Sequence, residues 1–295
     1  MSLAAVFPPM VTPFANGSVD TAAIASNVRR WMDAGLGGVV ALGTNGESAL
    51  LDQDEAELVL ETVRAAVPPG RVLIAGTGRE STRATIAATR RAATCGADFA
   101  LVRTPSFFRT QMTAPALEAH FRAIADASPI PVLLYNFPGQ TGVNFTPATV
   151  AALAAHPNIA GMKETGTDAA QLAGFVDAAA GATFSVLVGA APGMYPALCV
   201  GAAGAIVAVA CVLPELSVEL YSHARAGRHA EARALQRRLT PLGRLVTTTH
   251  GVPGLKAALD LAGYRGGEPR PPLLPASPQV IDEIRAEIAR VMEAV

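Results

Sequence analysis

Residues 131–164 read PVLLYNFPGQTGVNFTPATVAALAAHPNIAGMKE, and this stretch decides the fold. An apolar run at 132–135 enters a turn rich in Gly, Pro and Asn. Thr146 followed by Pro147 then marks a helix start, an N-cap hydroxyl with proline at the first helical position. A second apolar run, 159–163, closes the unit. Strand, helix and strand in about 30 residues form a β-α-β unit, whose strands run parallel because parallel pairs need a crossover. The pattern recurs on both sides. Further apolar runs at 5–11, 38–42, 72–75, 99–102, 184–188 and 205–209 alternate with segments of helical period at 21–34, 53–67, 81–94, 114–127 and 168–179. Strands that are apolar nearly throughout are buried on both faces. Eight such units by about residue 226 predict an α/β fold, a (β/α)8 TIM barrel over residues 1–226. From residue 227 the pattern is helical only, at 231–249, 253–262 and 278–294 with a Gly/Pro-rich link at 263–275, which predicts a small C-terminal helical domain over 227–295. A doubly wound dinucleotide fold is the rival, but its nearest fingerprint, Gly76-Thr77-Gly78-Arg79-Glu80-Ser81, lacks the third glycine.

Composition narrows the function. The chain has 295 residues, 51% hydrophobic and 16% charged, so it can bury a large core and is not disordered. A net charge of −1 argues against nucleic acid as a partner. The cysteines Cys95, Cys199 and Cys211 form no CxxC pair, as expected of reduced thiols in a cytoplasmic protein. The N-terminus has no basic region before Pro8-Pro9, so no signal peptide is expected. Residues 190–214 carry no charge, yet Pro192, Gly193, Pro196, Gly201 and Gly204 punctuate them, which suits a buried helix and strand better than a membrane span. Two lysines, Lys163 and Lys256, stand against twenty-one arginines, so each lysine is a candidate for a position whose chemistry arginine does not supply.

In a barrel of this kind the active site lies at the C-terminal ends of the strands. Four polar groups fall there: Gly43-Thr44-Asn45-Gly46-Glu47, Arg103-Thr104, Tyr135-Asn136 and Lys163-Glu164-Thr165. The amides after the second strand, beside glycine, can form a nest for a carboxylate. Lys163 ends an apolar strand and points toward the barrel mouth. Removal from water favours the neutral amine, the form that attacks a ketone to give a Schiff base. A structural ion pair with Glu164 or Glu47 reads equally well. Tyr135 is either a proton shuttle hydrogen-bonded to Thr44 or a core aromatic with a capped hydroxyl, and Thr44 alone reads as readily as a turn residue. Lys256, in an amphipathic helix, reads as a solvated or domain-packing residue. The five histidines form no metal-ligand spacing and no GxSxG follows a strand, so neither a catalytic metal nor a Ser–His hydrolase is expected.

Together these motifs resemble the dihydrodipicolinate synthase/N-acetylneuraminate lyase family of class I aldolases. They are Thr12-Pro13-Phe14, Gly43–Glu47, Ala75-Gly76-Thr77-Gly78 with Ser81-Thr82, Gly96-Ala97-Asp98, Leu134–Pro138 with Thr141-Gly142, and Gly161-Met162-Lys163-Glu164. The resemblance implies catalytic roles for three residues: Lys163 as the Schiff-base lysine for pyruvate, Tyr135 as general acid/base and Thr44 as its relay partner. It implies pyruvate-carboxylate binding by the Thr44 and Asn45 amides, a wall formed by the backbone of Ile206, no cofactor, and a homo-oligomer, a dimer or tetramer. Synthases of the family carry an arginine where this chain has Gln140, and a relay tyrosine where it has Phe107. With Thr165 after the Lys–Glu pair, Gln140 and Phe107 are where substrate specificity is expected. Arg103 and Arg109 are candidates for a second substrate carboxylate, with helix capping or surface pairing as the plainer reading. The segments Thr44–Glu47, Pro157–Lys163, Gly251–Lys256 and Gly263–Gly267 look most like 4-hydroxy-2-oxoglutarate aldolases, which release pyruvate and glyoxylate. The alternatives are condensation of pyruvate with aspartate semialdehyde, a related sugar-acid lyase or dehydratase, and a silent barrel that only binds a 2-oxo acid.

Overall fold

The computed structural model describes residues 2–293. Eight parallel strands follow one another around a barrel: β1 (Val6–Phe7), β2 (Gly38–Ala41), β3 (Val72–Gly76), β4 (Phe99–Arg103), β5 (Val132–Asn136), β6 (Ile159–Glu164), β7 (Ser185–Val188) and β8 (Gly204–Ile206). Each pairs with its neighbour in sequence, and β1 pairs with β8. The last seam, β1 to β2, is thin. Pro8 and Pro9 have no N–H to donate, so the run expected over 5–11 is a strand only at Val6–Phe7. The seam closes through Val40 N donating to Pro8 O at 3.0 Å and Met10 N donating to Val40 O at 3.0 Å.

The helices α1 (Thr21–Asp33), α2 (Gln53–Ala66), α3 (Thr82–Thr94), α4 (Ala114–Ala127), α5 (Pro147–Ala154), α6 (Ala169–Ala178), α7 (Met194–Cys199) and α8 (Pro214–Arg225) ring the strands. Their starts follow the expected chemistry: Asp52 and Glu55 make a reciprocal capping box on α2, and the Thr146 side chain accepts from Thr149 N at α5. The uncharged stretch 190–214 holds α7 and β8, a short helix and a buried strand, and among the described residues no helix is long and apolar enough to cross a membrane.

Strand alternation divides the core. Phe7, Val40, Ile74, Leu101, Leu133, Tyr135, Leu187 and Ile206 fill the barrel, whereas Val39, Leu73, Val102, Leu134, Met162 and Val186 face the helices. One irregularity positions the site. Val132 pairs with Ile159 but Leu133 pairs with Gly161, so Ala160 is an extra residue on β6. Ile159 and Met162, three apart, therefore both face outward. Without the bulge, Lys163, four residues after Ile159, would share its outward face. With it, Lys163 turns into the barrel beside Tyr135, its register partner on β5. On the other side Gly161 allows β7 to approach closely, since a Cβ there would lie 2.3 Å from Ser185 O.

After α8, helices α9 (His229–Arg244), α10 (Gly251–Leu261) and α11 (Pro278–Glu293) pack back on the barrel. The helix expected over 231–249 changes character at its end: after Pro241, residues Leu245–Thr249 form a π-helical turn. The helix expected over 278–294 is α11; residue 294 lies outside the described residues. The link before α11 is tied to α1, where Asn27 exchanges hydrogen bonds with the backbone of Arg265 and Trp31 stacks on Tyr264 at 5.8 Å.

Candidate active site

Three polar side chains meet at the C-terminal ends of the strands. Lys163 Nζ donates to Tyr135 Oη at 3.3 Å, and Tyr135 Oη lies 3.2 Å from Thr44 Oγ1. The ammonium also stands 4.4 Å from the centroid of the Tyr135 ring. Lys163 and Tyr135 are buried, and Thr44 is exposed at the mouth, so the chain of hydroxyls leads from the amine to solvent.

Of the two readings of Lys163, the ion pair with Glu164 or Glu47 is not found. Among the described residues it makes no ion pair. Glu164, fully buried, turns to the outer face. There it accepts from Asn136 Nδ2 at 2.5 Å, Gly166 N at 2.6 Å and Gln171 Nε2 at 3.3 Å. Burial pushes its carboxyl upward against these hydrogen bonds. Asn136 also donates to Asn144 Oδ1 at 2.7 Å, so this network braces the loops after β5 and β6. Glu47 pairs instead with Lys256. Of the two readings of Lys256, domain packing holds and solvation does not: it is 1% exposed, and it packs the C-terminal helices against the barrel mouth.

Asn45 is half-buried, its Nδ2 donating to Pro9 O at 3.3 Å, and Ile206 is buried at the end of β8. Gln140 is exposed on a helical turn, Pro138–Thr141, directly after β5. Thr165 has a buried Oγ1 without a hydrogen-bond partner. Phe107 lies away from this group within the single chain, 79% exposed and edge-on to Phe108 at 5.0 Å. Glu80 holds that loop outward, accepting from Ser106 N and Phe107 N at 2.9 and 3.0 Å. Arg103 is paired with Glu80 at 2.7 Å, the plainer reading of that residue. Arg109 makes no ion pair among the described residues, and its side chain packs on Gly142, two residues beyond Gln140.

Sequence reasoning missed Gly189, the residue after β7. A Cβ there would lie 2.3 Å from Thr165 Oγ1 and 2.8 Å from Lys163 Cε. The missing side chain is the clearance beside the amine. The available signal was a glycine closing an apolar strand, which marks close approach of another group. Among the described residues no group of three or more His, Cys, Asp or Glu could hold a metal.

Comparison with known proteins places the chain in a family. The model of the dihydrodipicolinate synthetase family matches residues 2–291. The chain belongs to that family. It is an enzyme of class I aldolase type. A 4-hydroxy-tetrahydrodipicolinate synthase of Synechococcus sp. is 41% identical over 272 residues, 91% of this chain and 89% of the relative. The crystal structure of a dihydrodipicolinate synthase from Thermotoga maritima superposes with a TM-score of 0.94 at 32% identity, covering 98% of each chain. A dihydrodipicolinate synthase variant characterised as monomeric gives 0.92 at 32% identity, over 97% of this chain and 95% of that one. The expected (β/α)8 barrel and wider family are borne out. The particular likeness to 4-hydroxy-2-oxoglutarate aldolases is not what these relatives display.

Proposed function

We propose that this chain forms a carbon–carbon bond at the methyl carbon of pyruvate through an imine on Lys163, with an aldehyde that carries a carboxylate as acceptor. The observation that carries this reading is the unbroken series Lys163 Nζ, Tyr135 Oη, Thr44 Oγ1 around an amine that has no carboxylate partner among the described residues. Lys163 attacks the ketone carbon of pyruvate, and loss of water from the carbinolamine gives a protonated imine. Loss of a methyl proton converts the imine to an enamine, which attacks the aldehyde carbon. Tyr135, 3.3 Å from the amine, delivers the proton that carbinolamine dehydration requires and protonates the new alkoxide. Thr44 orients the phenol. The amides of Thr44 and Asn45 bind the pyruvate carboxylate, and Gly189 leaves room beside Cε for the imine carbon. Hydrolysis of the product imine restores Lys163.

The relatives' name supports aspartate semialdehyde as the acceptor, the reaction of a 4-hydroxy-tetrahydrodipicolinate synthase. Gln140 favours a second reading. An amide cannot give the charged bidentate grip of an arginine, and cleavage of 4-hydroxy-2-oxoglutarate runs the same chemistry in reverse, with Tyr135 taking the hydroxyl proton. Arg109, uncompensated beside the Gln140 turn, is the guanidinium available to a second carboxylate in either case, and Thr165 Oγ1 is the free hydroxyl. A two-arm assay separates the readings: disappearance of pyruvate that depends on aspartate semialdehyde, against release of pyruvate from 4-hydroxy-2-oxoglutarate. The faster arm names the substrate. Turnover in neither arm overturns both.

Two exposed phenylalanines on one loop are an apolar patch that a soluble surface rarely leaves uncovered. We infer that Phe107 and Phe108 pack against a second copy of the chain, giving a dimer or tetramer. Light scattering on a Phe107→Asp, Phe108→Asp double variant tests this; an unaltered mass would refute it. The reaction so assigned suits the cytoplasm, where the free thiols stay reduced.

A further inference from the structure

The Thr44–Asn45 turn is held by segments from both ends of the chain. Gly43 and Gly46 flank it, and its own hydrogen bonds, Gly46 N donating to Gly43 O and Glu47 N to Thr44 O, both at 3.1 Å, shape the turn without tying it to the rest of the fold. Glu47, the next residue, adopts a left-handed backbone at φ 55° and is 3% exposed. Its Oε2 accepts from Arg270 N at 2.7 Å, and its Oε1 meets Lys256 Nζ as an ion pair at 2.6 Å. Lys256 also donates to Thr12 O at 2.9 Å and Glu268 O at 2.8 Å. Thr12 Oγ1 in turn donates to Gly46 O at 2.7 Å. Arg270 donates to Leu50 O at 3.0 Å and grips Glu55 with both guanidinium nitrogens. The Phe14 ring lies 4.5 Å from Lys256 Nζ and 4.2 Å from Arg270 Cζ. Apart from the Lys256–Glu268 bond, which stays within the C-terminal segment, these contacts end on the turn, on residues close beside it, or on the N-terminal segment that touches it.

The choice of lysine is meaningful in a chain with twenty-one arginines. One compact ammonium reaches a carboxylate and two carbonyls that diverge around it, whereas a planar guanidinium presents its donors as a fixed fork. Burial draws the Lys256 ammonium toward its neutral form, and Glu47 opposes this. Stability alone does not require such a pair, because apolar side chains of similar volume often serve as well. The side chains of Lys256 and Glu47 form no hydrogen bond to the Lys163, Tyr135 or Thr44 side chains.

We propose that Lys256 is a positioning residue: through Glu47 it fixes the peptide planes of Thr44 and Asn45, and so sets how tightly the site grips the carboxylate of a 2-oxo acid. This rests on the reading that the turn binds pyruvate. The test measures the fraction of Lys163 reduced to a pyruvyl adduct by borohydride as pyruvate is raised. It is applied to the full chain, Lys256→Met, Glu47→Gln and the double variant, with thermal melts in parallel. The half-saturating pyruvate concentration rises about tenfold or more in all three variants, while labelling at saturation stays within about twofold, the pattern of lost ground-state binding. The double variant leaves no unpaired buried charge, so it recovers melting temperature but keeps the weak binding. Half-saturation within about twofold of the unaltered chain in any folded variant, or binding that recovers together with melting in the double variant, overturns the proposal. No adduct in the unaltered chain overturns the imine reading and this inference with it. An adduct there, with unchanged half-saturation in the variants, overturns the inference alone.

Discussion

Lys163 and Lys256 are the two lysines of the chain; both are buried, and their surroundings are opposite. Lys163 ends a barrel strand, faces a phenol and, among the described residues, meets no carboxylate. Lys256 lies in α10 at the edge of the mouth, compensated by Glu47 and two backbone carbonyls. The difference separates chemistry from architecture. An amine that must lose its proton to attack a ketone is best left without an acid partner, whereas an ammonium that must hold a loop needs one. The two sites are joined through the four residues Thr44–Glu47, since the loop that Lys256 steadies carries Thr44, which touches Tyr135, which touches Lys163.

The comparison predicts its largest effect at Lys163. Lys163→Met abolishes turnover, and substantial residual activity in a steady-state assay would break the contrast at once. Tyr135→Phe, which leaves the amine in place but removes the proton donor, lowers kcat by ~10²–10⁴-fold. An unchanged kcat would return Tyr135 to the core.

Stability reverses the ranking of the two lysines. Lys256→Met strands a buried carboxylate and costs about 3–5 kcal/mol of unfolding free energy. Lys163→Met strands nothing, and denaturant titration is expected to place it within about 1 kcal/mol of the unaltered protein. Equal losses would mean that the two environments are not opposites.

The smallest effect asks whether burial without an acid partner is enough to mark a site. His120, on α4 outside the barrel, is 8% exposed and bonds Thr82 Oγ1 through Nδ1 at 2.8 Å, while Nε2 has no partner. Burial holds its pKa down to about 4, with Glu80 pulling weakly the other way. Below the unfolded value near 6.5 the unfolded chain takes up a proton that the native chain refuses. Stability therefore falls as pH drops from ~6.5 to ~4, by about 3 kcal/mol in all. His120→Gln is expected to flatten that slope of unfolding free energy against pH without altering kcat at neutral pH. A slope that survives the substitution would assign the acid sensitivity to other groups.

The barrel was legible because its strands are short, apolar on both faces and separated by Gly and Pro, and the order of motifs named the family. Boundaries failed where a single residue type overrode the pattern. Pro8 and Pro9 cut the first strand to Val6–Phe7, and the turn after Pro241 is π-helical. Lys163, Tyr135 and Thr44 were legible as strand-end polar residues, and the structure brings them together. The bulge at Ala160 that aims Lys163 inward was not, although Gly161 marked an interruption in the strand. The sequence left Lys256 between solvation and domain packing because helical periodicity reports only which face is apolar. It is silent about a carboxylate 209 positions earlier in the chain.

Reduction with borohydride in the presence of pyruvate, followed by peptide mass spectrometry, tests the central claim most directly because the chain offers two lysines to compare. The account predicts a pyruvyl adduct on the peptide carrying Lys163 and none on the peptide carrying Lys256. An adduct on Lys256, or a folded protein in excess pyruvate with no adduct on Lys163, would contradict it.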